Sequence, residues 1–273
     1  MQVLRIPKGN GKYRTVYAPE KEEKERLQSL LPKLVKIAKA RCHPQVVHGF
    51  MPGKSPLTNA LPHVGFTYTF NMDLKDFFDT VLITHVMESI PAELLAEVMK
   101  YGAARQGLPT SPLVANIAAA AMDWEFMAEL PDGVVYTRYA DDLSFSFDDQ
   151  RFASQIKTIA EWLIPKHKFE INVKKTHLQW AGAGRRIITG VAVDDARAHP
   201  TRSVRRRLRA ARHQGNPGST AGLTEWCRMK LPALYLEEIR KHRVALDNQH
   251  AALPHIAQEA DAYGKEHRSL RLE

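Results

Sequence analysis

Residues 134–147 read VVYTRYADDLSFSF, and they decide the fold. Two alternating runs of strand length flank the acidic connection Tyr139-Ala140-Asp141-Asp142, a pattern that predicts a β-hairpin. Adjacent carboxylates repel each other at a turn where Asn-Gly or Asp-Gly is the more usual choice. We therefore interpret Asp141 and Asp142 as ligands of a cation, placed at an exposed hairpin tip.

The segments on either side extend the hairpin into an α+β unit. The sequence predicts a strand over 67–73, an Ala-rich helix over 111–129, the hairpin over 134–147, a helix over 151–165 and a strand over 169–173. This order, βαββαβ, is the split βαβ or ferredoxin-like arrangement. Its first and third strands are antiparallel neighbours at the centre of the sheet, so the end of one lies beside the start of the other.

A third carboxylate follows from that topology. Asp73 ends the first strand, and Asp141 and Asp142 precede the third. Three acids from distant parts of the chain then meet at one edge of one sheet, which is costly unless a divalent cation binds there. The sequence therefore predicts a metal site formed by these side chains.

Local signals predict several elements outside this unit. They are a two-stranded element around the Gly-rich turn 8–12, a helix over 20–41 that Pro32 kinks or splits, a helix over 91–101 with Pro91 in its first turn, a helix N-cap at Ser111, and a strand over 187–193. From about Thr201 the chain is predicted to be helical and basic.

The charge balance favours a polyanionic partner. The 273 residues carry 39 Lys and Arg against 30 Asp and Glu, a net charge of +9. The stretch from Arg197 to Thr224 has no acid and contains six further arginines: Arg202, Arg205, Arg206, Arg207, Arg209 and Arg212. Nucleic acid is the first candidate partner, and a solvated helix face is the alternative.

Cysteine usage and hydropathy bear on the compartment. Cys42 and Cys227 lack the spacing of a zinc site or a disulfide framework, which favours a reducing environment. The N-terminus has no apolar signal core, and no stretch approaches the length of a membrane span. We therefore expect a cytoplasmic protein with no membrane partner.

Four motifs in order resemble those of reverse transcriptases. They are NMDLKDFF at 71–78, RQGLPTSP at 105–112 with Arg105 in place of a Pro, YADD at 139–142, and INVKKT at 171–176. Two further segments are similar to the retron patterns Asn-Ala-x-x-His and Val-Thr-Gly: NALPH at 59–63 and ITG at 188–190. Over about residues 5–195 the chain therefore resembles a retron-type bacterial reverse transcriptase.

The resemblance implies a right-hand polymerase with a ferredoxin-like βαββαβ palm, α-rich fingers and a helical thumb. The N-terminal segment and fingers would occupy 1–66. The palm would occupy 67–180, with a fingers insertion at about 80–110. A primer-grip region and a basic helical thumb would occupy 181–273.

The resemblance also implies a catalytic centre. Asp73, Asp141 and Asp142 would hold two Mg²⁺ ions together with the backbone carbonyl of Leu74. Lys175 would protonate the leaving pyrophosphate, and Lys174 competes for that role. The nearby acids Asp76 and Asp79 are expected to be solvated or helix-capping.

Substrate contacts are implied in the same way. The implied dNTP contacts are Lys12, Arg14, Phe78, Gln106, Tyr139 and Ala140, with Phe78 excluding a 2′-hydroxyl. The implied nucleic-acid contacts are Asn59, His63, Arg202, Arg205, Arg206, Arg209 and Arg212. For Asn59 and His63, the alternative is that they brace the fingers loop.

As a whole, the resemblance implies an RNA-directed DNA polymerase that copies a cognate structured noncoding RNA. Synthesis would start from a guanosine 2′-hydroxyl and give a branched RNA–DNA product, in anti-phage defence with a separate effector protein. A group II intron-like or other defence-associated reverse transcriptase is an alternative within the class, although the chain has no room for maturase or nuclease parts. A non-catalytic RNA-binding subunit is the alternative from a different class.

Overall fold

The structure, a computed structural model, describes residues 1–9 and 11–235. These residues form nine strands: β1 Gln2–Gly9, β2 Lys12–Ala18, β3 Tyr68–Asp73, β4 Val135–Tyr139, β5 Asp142–Phe147, β6 His177–Trp180, β7 Arg186–Ile188, β8 Val191–Val193 and β9 Ala198–Pro200. Nine α-helices lie wholly within the same residues: α1 Lys21–Ser29, α2 Leu31–Arg41, α3 Pro56–Ala60, α4 Phe77–Thr80, α5 Ala92–Val98, α6 Ser111–Glu129, α7 Phe152–Lys166, α8 Arg202–His213 and α9 Pro217–Cys227.

The central sheet has four antiparallel strands in the order β4-β5-β3-β6. Helix α6 connects β3 to β4, and α7 connects β5 to β6, so the chain order is βαββαβ. Both helices pack on the sheet through a core that includes Met122, Phe126, Phe145 and Leu163. The predicted ferredoxin-like topology, with the first and third strands paired at its centre, is confirmed.

The fourth strand of this sheet lies later in the chain than predicted. The strand expected over 169–173 is wrong: Ile171 makes only an isolated bridge with Leu74, and a short helical turn follows at Val173–Lys175. The ring of Phe169 packs against Phe77 instead, with centroids 5.6 Å apart. Packing of these apolar side chains on the core anchors the connection, and pairing with β3 resumes only at β6.

The strand predicted over 187–193 is a hairpin. Ile188 at the end of β7 pairs with Val191 at the start of β8, and β9 adds a third strand. Thr189 and Gly190 between them both have positive φ, +49° and +78°. Positive φ at both central residues is the requirement of a tight two-residue hairpin turn.

The N-terminal helices agree with the predicted effect of proline. The helix expected over 20–41 is split at Leu30 into α1 and α2, with Pro32 in the first turn of α2, where no intrahelical hydrogen bond is lost.

The helix at 91–101 is shorter than predicted, because α5 ends at Val98. Ser111 is the first residue of α6 rather than its N-cap, which is Thr110.

A second, smaller core joins the three-stranded sheet to the C-terminal helices. Leu57 of α3, Ile188 and Val193 of the sheet and Met229 after α9 share it. Residues 236–273 of the predicted thumb lie outside the described residues. Among the residues that are described, every helix falls short of the length and apolar character that a bilayer-spanning segment needs.

Candidate active site

Three carboxylates meet where β3 and β5 lie side by side. Asp73, the last residue of β3, pairs with Asp142, the first residue of β5, and Asp141 precedes it in the turn. The three side chains each offer an oxygen within 4.8 Å of the other two. The N–H of Leu74 donates to the carbonyl of Asp141 at 2.9 Å, which ties the turn to the end of β3. The predicted convergence of the three acids is confirmed.

The turn that carries Asp141 is covered by another segment. Tyr139 pairs with Asp142, so Ala140 and Asp141 form a two-residue connection in which Ala140 is buried and has φ +57°. A Cβ on Gly49 would lie 2.5 Å from the nitrogen of Ala140, so the glycine backbone packs directly on the turn. The prediction of an exposed hairpin tip is therefore wrong.

Burial and mutual repulsion both act on these acids. Burial first, and the charges of Asp141 and Asp73 second, together raise the pKa of Asp142 to about 6. The pKa of Asp141 is also raised, by burial first and by Asp73 second. Closely spaced carboxylate oxygens that are disfavoured in their charged form fit a hard divalent cation such as Mg²⁺, which would neutralise them.

Lys175 is the basic residue joined to this cluster. Its ammonium group donates to Oδ2 of Asp73 at 2.7 Å, and the Asn172 amide donates to Oδ1 at 2.8 Å. The hydrogen bond to Asp73 raises the pKa of Lys175. Both lysines considered from the sequence are exposed, and it is Lys175 that contacts a carboxylate of the cluster.

A cavity of about 680 Å³ lies near the turn, since the charge of Arg14 in its lining acts on Asp141. Of the residues predicted to bind nucleotide, Arg14, Phe78 and Gln106 line it. Phe50 lines it too, and its ring centroid is 6.3 Å from that of Tyr139. The side chain of Lys12 lies outside what the structure describes. The cavity thus brings together three of the predicted side chains from three separate segments.

The wall of this cavity is fixed to the N-terminal hairpin. The N–H of Tyr17 in β2 donates to the carbonyl of Gln106 at 2.7 Å. Gly107 has φ +106°, and a Cβ there would lie 2.5 Å from the carbonyl oxygen of Tyr17, so only glycine fits. Arg105, the departure from the family motif, donates to the carbonyls of Lys100 and Tyr101 and so holds the preceding loop.

A buried ion pair supports the turn from behind, and the sequence analysis missed it. Arg138 and Asp123 are fully buried, and the guanidinium donates to both carboxylate oxygens at 2.6–3.1 Å. Arg138 also donates to Asn116 at 3.0 Å and to the carbonyl of Ala140 at 3.1 Å, while Tyr136 donates to Asp123 at 2.8 Å. The available signal was an Asp inside an Ala-rich helix and an Arg inside an apolar strand.

Asn59 and His63 are buried side chains with partners inside the protein. The Asn59 amide donates to the Thr189 hydroxyl at 2.7 Å. The ring of His63 lies between the hydroxyls of Ser146 at 2.8 Å and Thr137 at 2.7 Å, and burial lowers its pKa to about 3. Their role in binding nucleic acid stays a prediction, and these contacts favour the bracing alternative.

The predicted arginines form one face of α8. Leu208 and Ala211 bury the opposite side of the helix, while Arg202, Arg205, Arg206, Arg209 and Arg212 are exposed. Thr201 caps the helix by accepting from the N–H of Val204. Positions at three- and four-residue spacing share a helix face, so within the described residues α8 presents a continuous basic surface.

Comparison with known proteins agrees with this geometry. Residues 6–183 match the family described as reverse transcriptase (RNA-dependent DNA polymerase). The chain is 34% identical over 238 residues to the retron Mx65 reverse transcriptase of Myxococcus xanthus, with 77% of this chain and 54% of that protein covered. It is 29% identical over 210 residues to the retron Ec86 reverse transcriptase of Escherichia coli, with 73% and 64% covered.

Among solved structures, telomerase from Candida albicans with a fragment of telomeric RNA is similar in fold. The TM-score is 0.52 at 12% identity, and 92% of this chain and 55% of that chain are covered. The chain spans between half and two thirds of the length of the retron relatives described above. With the motifs, the right-hand polymerase topology and the carboxylate cluster in place, the chain belongs to the reverse transcriptase family and is of the retron type.

Proposed function

We propose that this chain is an RNA-directed DNA polymerase that polymerises dNTPs with Mg²⁺ at Asp73, Asp141 and Asp142. The observation that carries the proposal is the meeting of these three carboxylates beside the cavity that Arg14, Phe78 and Gln106 line. A cation site next to a pocket of nucleotide size is the arrangement that phosphoryl transfer needs.

Different side chains bind the metal ions, bind the triphosphate and protonate the leaving group. When bound, a pair of Mg²⁺ ions would stabilise both the attacking and the leaving oxygen. The three carboxylates would bind these ions at the turn, with the Leu74 carbonyl as a further proposed ligand. Arg14, together with Lys12, binds the triphosphate through charge-assisted hydrogen bonds, and Lys175 supplies the proton to the leaving pyrophosphate.

The remaining pocket residues orient the sugar and the base. Gln106 contacts the incoming nucleotide, and Phe78 excludes a 2′-hydroxyl. Tyr139 and Ala140 lie at the turn, where the primer end meets the incoming sugar. The basic face of α8 holds the template–primer duplex through its phosphates, without reading sequence.

We further propose the division into fingers over 1–66, palm over 67–180 with an insertion at about 80–110, and primer grip and thumb from 181 onward. As the resemblance to retron reverse transcriptases implies, the template is a cognate structured noncoding RNA. A guanosine 2′-hydroxyl primes synthesis and gives the branched RNA–DNA product. A cytoplasmic role in anti-phage defence, with a separate effector protein, belongs to the same proposal. The hydrogen bond from Asn59 in NALPH to Thr189 in ITG supports the retron assignment, because it joins the two retron-type segments directly.

Primer extension with purified protein tests the polymerase. Protein, its RNA, Mg²⁺ and labelled dNTPs should give DNA, and Asp141→Asn/Asp142→Asn should abolish synthesis. Asp132→Asn, which neutralises an exposed carboxylate outside the cluster, is the matched control and should keep wild-type activity. Synthesis by the double variant at the wild-type rate would refute the catalytic assignment and favour the non-catalytic RNA-binding subunit.

A second experiment tests the priming chemistry. RNA carrying 2′-deoxyguanosine at the branch position should not support synthesis, whereas the same substitution at a neighbouring guanosine should have no effect. After ribonuclease digestion, the DNA made on natural RNA should keep a ribonucleotide attached at its 5′ end. DNA that is free of RNA would point to another kind of reverse transcriptase.

A further inference from the structure

Phe50 connects two residues of the proposed nucleotide site. Its side chain lines the cavity and is 45% exposed, which is high for an aromatic ring. Its ring centroid lies 6.2 Å from that of Phe78 and 6.3 Å from that of Tyr139, with interplanar angles of 57° and 41°. These distances are in the range of favourable aromatic contact, so the Phe50 ring contacts Phe78 within the cavity and Tyr139 at the turn.

The backbone at Phe50 is held in an unfavourable conformation. Its φ is +60°, in the left-handed region that a bulky aromatic residue rarely adopts. Neighbouring contacts impose this geometry: His48 N–H donates to the Arg138 carbonyl at 2.9 Å, and the Asn116 side chain donates to the Gly49 carbonyl at 2.7 Å. Strain of this kind persists where the surroundings fix it and is concentrated at functional sites.

These contacts restrain the backbone that carries the Phe50 ring. The Arg138 guanidinium donates to the Ala140 carbonyl, and Gly49 packs on the nitrogen of Ala140. A shift of the backbone next to Phe50 would therefore disturb the turn at Ala140. Phe78 has the ring of Phe77 on one side, 5.9 Å away, and that of Phe50 as a second aromatic neighbour. Removing the Phe50 ring would leave Phe78 free to turn into the space that the Phe50 ring occupies, away from the sugar.

We propose that Phe50 is a positioning residue for sugar selectivity, which acts by holding Phe78 against the place of the 2′-carbon. The inference rests on the proposed polymerase function. A side chain excludes a hydroxyl group only while its ring cannot move away, because selectivity depends on the difference in fit between two nearly identical substrates. Phe50 supplies that restraint as the second aromatic neighbour of Phe78, beside Phe77.

Nucleotide selectivity of ring-deleted variants tests the proposal. Phe50→Ala keeps the backbone strain and Phe50→Gly relieves it, so a loss shared by both belongs to the ring. We expect both variants to lose about tenfold in the preference for dCTP over CTP. The loss should come from tighter CTP binding and a lower KM for CTP, with dCTP binding nearly unchanged. Phe50→Tyr keeps an aromatic ring and should have the wild-type preference for dCTP over CTP.

Tyr101 offers a matched control. It is also an exposed aromatic residue with positive φ, +52°, but it does not line the cavity. Tyr101→Ala should leave the dCTP preference unchanged. In combination with Phe78→Val, the Phe50→Ala substitution should add no further loss, because it acts through Phe78.

The two readouts separate this inference from the proposed function. Binding is measured by displacement of a fluorescent dNTP analogue, and incorporation by primer extension. A wild-type protein that prefers dCTP in binding but incorporates none would refute the polymerase and leave the test of Phe50 intact. A wild-type preference in both ring-deleted variants, or an equal loss in Tyr101→Ala, would overturn the inference.

Discussion

The side-chain amide of Asn59 donates a hydrogen bond of 2.7 Å to the hydroxyl of Thr189, 130 positions further along the chain. Asn59 lies in α3, and Thr189 lies in the turn between β7 and β8. The contact therefore joins the segment before the palm to the small sheet that follows it. Residues with positive φ such as Thr189 depend on such contacts, because their own backbone geometry is unfavourable.

Removing the acceptor should destabilise the hairpin. Thr189→Val keeps the side-chain shape and leaves the Asn59 amide buried without this partner, which we expect to cost about 1–3 kcal/mol. Urea denaturation measures the free energy of unfolding. Thr189→Ser keeps the hydroxyl and is the control. Equal stability of Thr189→Val and Thr189→Ser would show that the hydrogen bond contributes nothing.

The buried pair of Arg138 and Asp123 should be far more sensitive to substitution than an exposed pair. Asp123→Asn leaves the guanidinium charge uncompensated in the core, so we expect a loss of about 3–5 kcal/mol in the free energy of unfolding. Arg151 and Asp149 form a pair of similar geometry at the surface, with the Arg151 side chain 85% exposed. Asp149→Asn should cost much less, because water screens the charges of an exposed pair. Similar losses from the two variants would contradict the structural importance of the buried pair.

Magnesium binding should weaken as the pH falls toward the pKa of Asp142. Its folded-state pKa is raised from 3.8 to about 6, so the protonated acid contributes stability that is lost as the pH rises through about 6. Mg²⁺ requires the deprotonated form. The rise in Tm on adding Mg²⁺ should therefore be larger at about pH 7.5 than at about pH 5.5.

Two variants define the outcome of that experiment. Asp142→Asn should remove most of the difference between the two pH values, whereas Asp132→Asn should retain it. Thermal unfolding followed by fluorescence or circular dichroism gives the Tm in each condition. A Mg²⁺ effect of the same size at both pH values in the wild type would contradict binding at Asp142.

The arginines of α8 should determine the salt dependence of nucleic-acid binding. Each of Arg205→Gln and Arg209→Gln should lower the slope of log K against log salt by about 0.9 if its arginine contacts a phosphate. Arg207 lies on the same helix but away from the face of Arg205 and Arg209, so Arg207→Gln is the control and should leave the slope unchanged. Anisotropy of a labelled RNA–DNA duplex across a KCl series measures the slope. Equal slopes in all variants would mean that the basic face is only solvated.

Much of the catalytic centre could be predicted because it depends on periodicity and topology. The alternation in 134–147 predicts the hairpin, and the βαββαβ order places Asp73 beside Asp142 without knowledge of any side-chain packing. The fourth strand was placed too early for a physical reason. Phe169 and Ile171 alternate like strand residues and pack on the core, but pairing there is limited to the isolated bridge between Ile171 and Leu74.

The support of the site could not be predicted from local patterns. Whether Arg138 faces solvent or a buried carboxylate depends on Asp123, which a strand pattern does not indicate. The positive φ of Phe50 is equally hidden, because sequence signals for that conformation come from Gly, Asn and Asp. The partner of Asn59 is hidden for another reason, because Thr189 lies 130 positions further along the chain.

The hydrogen bond from Tyr17 to the Gln106 carbonyl has a mechanical consequence. It crosses from the N-terminal hairpin to the loop that leads into α6, and Gly107 brings the two backbones into direct contact. We therefore expect the hairpin, which carries Arg14, and the loop, which carries Gln106, to move together. An opening that admits a nucleotide would then bend the chain elsewhere, and the side chains for phosphate and sugar would reach the nucleotide at the same time.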